Sequence, residues 1–213
     1  MTKQIFSLRH AVAALLLALS GGYAAADTTL DVSIRTADFG VSSGWLDLQF
    51  NGPGAGLAAP ASVTLTNFVG FDAAAQALTE GPVSGSLAAG YVMRNSDGYA
   101  DLFHAVNYGS VLSFKVTFAG DADLSGQIGQ SLFSVWAYGP DQMTQLGNSS
   151  AADGSLGSIT WTPSTVAGVD GSTAFALNSA AIDIVPVPEP SAWLMMGVGA
   201  MLVAGAARRR AVR

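Results

Sequence analysis

The chain has 213 residues, half of them hydrophobic, no cysteine and a formal net charge of −6. That charge is unevenly spread. Between Asp27 and Val185, thirteen aspartates and Glu80 face only Arg35, Arg94 and Lys115, so this stretch carries a net charge of −11. Such acidity excludes nucleic acid as a partner, because that binding rests on Lys and Arg neutralising phosphates. The missing cysteines exclude disulfides, zinc–thiolate sites and thiol redox chemistry.

The N-terminal residues read as a secretory signal. Lys3 and Arg9 form a basic start, residues 11–19 an apolar core, and Ala24 and Ala26 an A-x-A cleavage site for signal peptidase. The apolar core is too short to span a bilayer. Residues 1–26 are therefore expected to be removed, which leaves a body over 27–185 of single-domain size.

The body alternates with the period of two that marks strands. Leu30, Val32 and Ile34 share one face, and Leu46, Leu48 and Phe50 repeat the pattern in WLDLQF. Asn51-Gly52-Pro53-Gly54 breaks that strand. Val63 and Leu65 start a further strand, and alanine-rich 73–78 predicts one or two weak helical turns. Strands at 91–93 and 102–106 flank a turn at Asn95-Ser96-Asp97-Gly98. In 111–118 the inward set is Leu112, Phe114, Val116 and Phe118. Aromatic 132–138, then 159–161, 174–177 and 182–185, complete about ten short strands joined by Gly/Asp/Ser turns. The expected fold is all-β, a β-sandwich or jelly roll.

Four features of the body are candidates for chemistry. Gly40-Val41-Ser42-Ser43-Gly44 satisfies G-x-S-x-G, but a strand rather than a helix follows the serine, against a nucleophile elbow. His104, the one histidine of the body, shares a face with Leu102 and Val106 and reads as a satisfied structural residue. Asp121, Asp123 and Ser125, with Gly126 and Ile128, imitate the first eight positions of a calcium loop. The twelfth position is Leu132 in place of glutamate, which leaves a hairpin loop with solvated acids or a weak Ca²⁺ site as alternatives; no other cofactor is expected. The aromatics Trp45, Tyr99, Tyr108, Trp136, Tyr138 and Trp161 fill a core or stack on sugar rings.

The tail, residues 186–213, has three parts: the Pro188-Glu189-Pro190 signature in a proline-rich hinge, an uncharged apolar run over 191–207, and Arg208, Arg209 and Arg210. At a rise of about 1.5 Å per residue that run makes a helix roughly 25 Å long, slightly short of a typical hydrocarbon core. Arginines that snorkel still permit a transmembrane helix, with the basic cluster held on the cytoplasmic side. A plain membrane anchor and a buried terminal helix are the alternatives.

Pro188-Glu189-Pro190, an apolar helix and a terminal arginine cluster resemble the PEP-CTERM sorting signal of exopolysaccharide-producing bacteria. The resemblance implies recognition by the membrane enzyme exosortase, transient anchoring through the helix, and delivery to the cell surface or outside. The stretch SGWLDLQFN and the later LFSVWAY are similar to strands of small all-β PEP-CTERM proteins, which supports a fold and an address. Three functions then compete: a non-enzymatic surface or matrix protein associated with exopolysaccharide or biofilm, a carbohydrate-binding module, and a hydrolase. Two buried carboxylates about 5–9 Å apart in a cleft are the mark of the last.

Overall fold

Strict alternation along the strands decides which side chains meet inside. In the computed structural model, Leu112, Phe114, Val116 and Phe118 are buried while Val111, Ser113, Lys115 and Thr117 between them are not. The structure describes residues 28–54, 59–126 and 128–187, together with Gly197 and Gly199. The expected signal peptide and its cleavage site at Ala24 and Ala26 lie outside the described residues. So does the tail beyond Val187, apart from the two glycines, which are helical. Among the described residues no helix is long and apolar enough to cross a membrane.

Among the described residues twelve strands follow one another: β1 (Thr28–Arg35), β2 (Ser43–Asn51), β3 (Ala61–Val69), β4 (Leu78–Glu80), β5 (Val83–Ser86) and β6 (Gly90–Arg94), then β7 (Asp101–Asn107), β8 (Val111–Gly120), β9 (Ser131–Tyr138), β10 (Gly157–Thr162), β11 (Ser172–Leu177) and β12 (Ile182–Pro186). A 3-10 turn at Ala37–Phe39 lies between β1 and β2. The strands form two six-stranded antiparallel sheets. Sheet A runs β12-β1-β8-β3-β6-β5 and sheet B runs β11-β10-β9-β2-β7-β4. The pairs β1–β8, β2–β7 and β3–β6 are nested, as they are when one long antiparallel ribbon rolls up on itself. The all-β expectation holds.

The sheets enclose one core. Phe50 of sheet B meets Phe118 of sheet A at 6.2 Å between ring centroids, and Phe133 meets Phe114 at 6.5 Å, all edge-on. Edge-to-face packing of this kind suits the quadrupole of each ring. Gly44 lets Tyr108 cross β2, since a Cβ there would strike the Tyr108 ring and the Tyr138 carbonyl. The Tyr108 hydroxyl lies 2.9 Å from the Trp45 carbonyl and 3.0 Å from that of Tyr138, so it can donate to either and ties β2 to β9.

Two sequence expectations need correction. Residues 73–78 are not helical. The Asp72 side chain accepts from the Ala74 N–H at 2.9 Å, and this local bond makes a turn where alanine content alone suggests a helix. His104 is only half satisfied: Nδ1–H donates to the Ala105 carbonyl at 2.9 Å, which leaves Nε2 as a buried acceptor with no hydrogen-bond partner.

Candidate functional site

The outer face of sheet B holds the most unusual polar arrangement among the described residues. On β2, Leu46, Leu48 and Phe50 point into the core, so Trp45, Asp47, Gln49 and Asn51 point out. On β7, Leu102, His104 and Val106 point in, so Asp101 and Phe103 point out. Register places Asp47 opposite Phe103 on one side and Trp136 on the other, with Gln49 opposite Asp101. Asp47 and Asp101 are thus diagonal neighbours. Trp45 stacks on Phe103 with centroids 4.9 Å apart and planes 10° apart, and Phe103 meets Tyr138 edge-on at 5.8 Å.

Between Phe103 and Trp136, and bonded to Gln49, Asp47 is only 8% exposed. Gln49 Nε2 donates to Asp47 Oδ2 at 2.9 Å, and Asn51 Nδ2 donates to Gln49 Oε1 at 3.3 Å. This relay along β2 fixes one Asp47 oxygen. The Oδ1 atoms of Asp47 and Asp101 are both buried with no partner. Burial, and then the adjacent Asp101 carboxyl, push the Asp47 pKa up to about 7. Burial raises the Asp101 pKa too, and the Glu80 charge adds to it. Glu80 sits opposite Asp101 in the register of β4 with β7 and accepts from the Tyr99 hydroxyl at 2.9 Å.

Among the described residues no cation lies on this face, for a topological reason. Arg35, Arg94 and Lys115 lie on β1, β6 and β8, all in sheet A. A buried carboxyl beside a half-buried one, with no counter-ion among the described residues, is best satisfied by one proton held between them. The pair lies on a strand face outside the groove between the β4 and β5 edges, whereas glycosidase pairs flank a cleft that admits a sugar and water. That groove, of about 660 Å³, is lined by Phe68, Gln76, Leu87 and Tyr91 and holds neither acid of the pair.

The other sequence-predicted residues separate into groups. Tyr108 and Trp161 are buried in the core, and Trp136 is buried with its indole N–H donating to the Asp153 carbonyl at 3.2 Å. Trp45 and Tyr138 are half-buried neighbours on the outer face of sheet B, and Tyr99 is exposed. In the acidic loop, Asp123 Oδ1 accepts from the Ser125 N–H at 2.9 Å and from its hydroxyl at 2.5 Å. Those bonds hold the Asp123 carboxyl below its ordinary pKa. Asp121 is exposed, and its backbone N–H donates to the Pro60 carbonyl. Among the described residues no group of three or more His, Cys, Asp or Glu is placed to hold a metal ion. The pair Asp47–Asp101 escapes sequence reasoning, because it arises from the register of strands far apart in the chain.

The junction with the tail is structured. Pro186 pairs with Leu30, and the Val187 N–H donates to the Thr29 carbonyl at 2.9 Å, so β12 delivers the chain from the edge of sheet A. Pro188, Glu189, Pro190, Arg208, Arg209 and Arg210 fall outside the described residues. Compared with protein families, residues 186–210 match the model of the PEP-CTERM protein-sorting motif. No curated protein and no solved structure matches the chain. The chain therefore carries a PEP-CTERM protein-sorting motif that begins at the final residue of β12, which marks it as an exosortase-dependent protein exported to the cell surface or beyond.

Proposed function

We propose that the exported body is a non-enzymatic surface or matrix protein that contacts exopolysaccharide through the outer face of sheet B, while the tail anchors the precursor in the membrane until exosortase removes it. The observation that supports this reading is the side-by-side placement of Trp45, Phe103 and Tyr138 with Gln49, Asn51 and Asp101 on one open face. Ring edges and faces pack on the C–H surfaces of sugars, and amides and carboxylates pair with hydroxyls. Hydrolysis fits less well, since neither acid of the pair lines the groove between β4 and β5, and glycoside cleavage works in a cleft.

The test is co-sedimentation of the processed protein with the host's own exopolysaccharide, beside a glycan array. Trp45→Ala and Tyr138→Ala should each weaken binding about threefold to tenfold. Binding that is equal for the wild type and both variants, each folded by circular dichroism, removes this face from the function.

A further inference from the structure

The two sheets present four edges, and three of them are blunted. A free edge is a template for another strand, and proteins block it with charge, proline, bulges or shortness. β4 has three residues, includes Glu80 and runs into Gly81-Pro82. β5 has four residues, follows Pro82 and contains Gly85 at a φ of 112°. β12 carries Asp183 on the strand and ends on Pro186. β11 has none of these devices: Ser172–Leu177 reads STAFAL and pairs with β10 over its whole length. Alternate N–H and C=O groups of an antiparallel strand point away from its partner. On that side of β11 no strand is present among the described residues.

The side chains are unfinished in the same way. Register puts Thr173, Phe175 and Leu177 opposite Trp161, Ile159 and Gly157, whose side of the sheet is the core. Yet Phe175 is 44% and Leu177 48% exposed, while Ile159 and Trp161 are buried. The core-facing row of sheet B thus continues past the cover that sheet A provides.

We infer that β11 is an interface between two copies of this chain, which join edge to edge and extend sheet B across a two-fold axis. A strand edge of this kind takes a strand, and charge selects which. The body carries net −11, but the chain has no charged residue between Asp170 and Asp183. Two copies that approach by this neutral strip avoid opposing acids. A two-fold axis normal to the sheet keeps core-side residues on one side. It sets Phe175 opposite Phe175 of the second copy and Thr173 opposite its Leu177, pairs that suit a cross-strand contact. The sorting motif after β12 gathers copies at a surface, where effective concentration is high.

The experiment uses the exported protein, recovered from its host, in size-exclusion chromatography with light scattering. The expected result is a dimer that dissociates on dilution. Phe175→Lys opposes two like charges and should raise the dimer dissociation constant at least about tenfold. Because the natural chain has no cysteine, Phe175→Cys should yield a disulfide-linked dimer under mild oxidation, while Met143→Cys, also exposed, should not. A monomer at every concentration overturns the proposal. So does a dimer that Phe175→Lys leaves unchanged, or one that crosslinks no better through position 175 than through 143. The cysteine comparison decides the matter if Phe175→Lys fails to fold.

Discussion

Replacing Asp47 by asparagine should stabilise the protein at pH 8 and flatten its stability against pH. The folded pKa of Asp47 is raised to about 7, largely by burial and then by Asp101. In the unfolded chain the same carboxyl titrates near ~3.9. A raised folded value means that the contribution is fully present below the unfolded pKa. It is lost as pH rises through the folded pKa, because the unfolded chain gives up its proton first. At about 1.4 kcal/mol per pH unit, the wild type should lose roughly 2–3 kcal/mol between pH 5 and pH 7, and about 4 kcal/mol over the whole range as an upper bound. For a body of this size the loss from pH 5 to pH 8 corresponds to a fall in Tm of roughly 5–10 °C. Asp47→Asn keeps the shape, retains a partner for Gln49 and can donate to the unpartnered Asp101 oxygen. Thermal melts of both proteins from pH 5 to pH 8, at constant ionic strength, make the comparison. Parallel curves for wild type and variant, or a variant less stable at pH 8, would refute the shared-proton account.

Three further outcomes are expected. Phe114→Ala, at a ring 1% exposed between the sheets, should cost about 3–5 kcal/mol in denaturant titration. Calcium and magnesium should raise the Tm equally, and Asp121→Ala should not change that, because the Asp123 oxygen already accepts from Ser125. A larger shift with calcium that disappears in the variant would instead establish an ion in the loop. Glu189→Ala, or deletion of Arg208 to Arg210, should leave precursor in the membrane fraction of the host; unchanged delivery of both variants would detach sorting from those residues.

Much of the fold was legible because alternation reports burial directly. Leu30, Val32 and Ile34, or Leu112 to Phe118, need only a period of two to declare their inner face, and the structure buries them. β4 and β5 gave no such signal. Leu78, Thr79 and Glu80 are all exposed, and VSGS contains a glycine, so pairing with β7 and β6 makes them strands. The apolar–polar pattern of WLDLQF identified β2 but not the fate of its aspartate. Asp47 looks like any solvated residue on an outer face until register sets it between Phe103 and Trp136 and against Asp101. His104 misled in the same way: its inward position was readable, its orphaned Nε2 was not. The address was the clearest part of the sequence, since Pro188-Glu189-Pro190 and the three arginines mark it without any tertiary contact.

The most direct measurement is matrix retention in the native host, compared with an otherwise identical strain that makes no exopolysaccharide. The account predicts that both strains export and process the protein, that the first holds it in the extracellular matrix, and that the second releases it into the medium. Equal retention in the two strains would contradict a function based on binding exopolysaccharide.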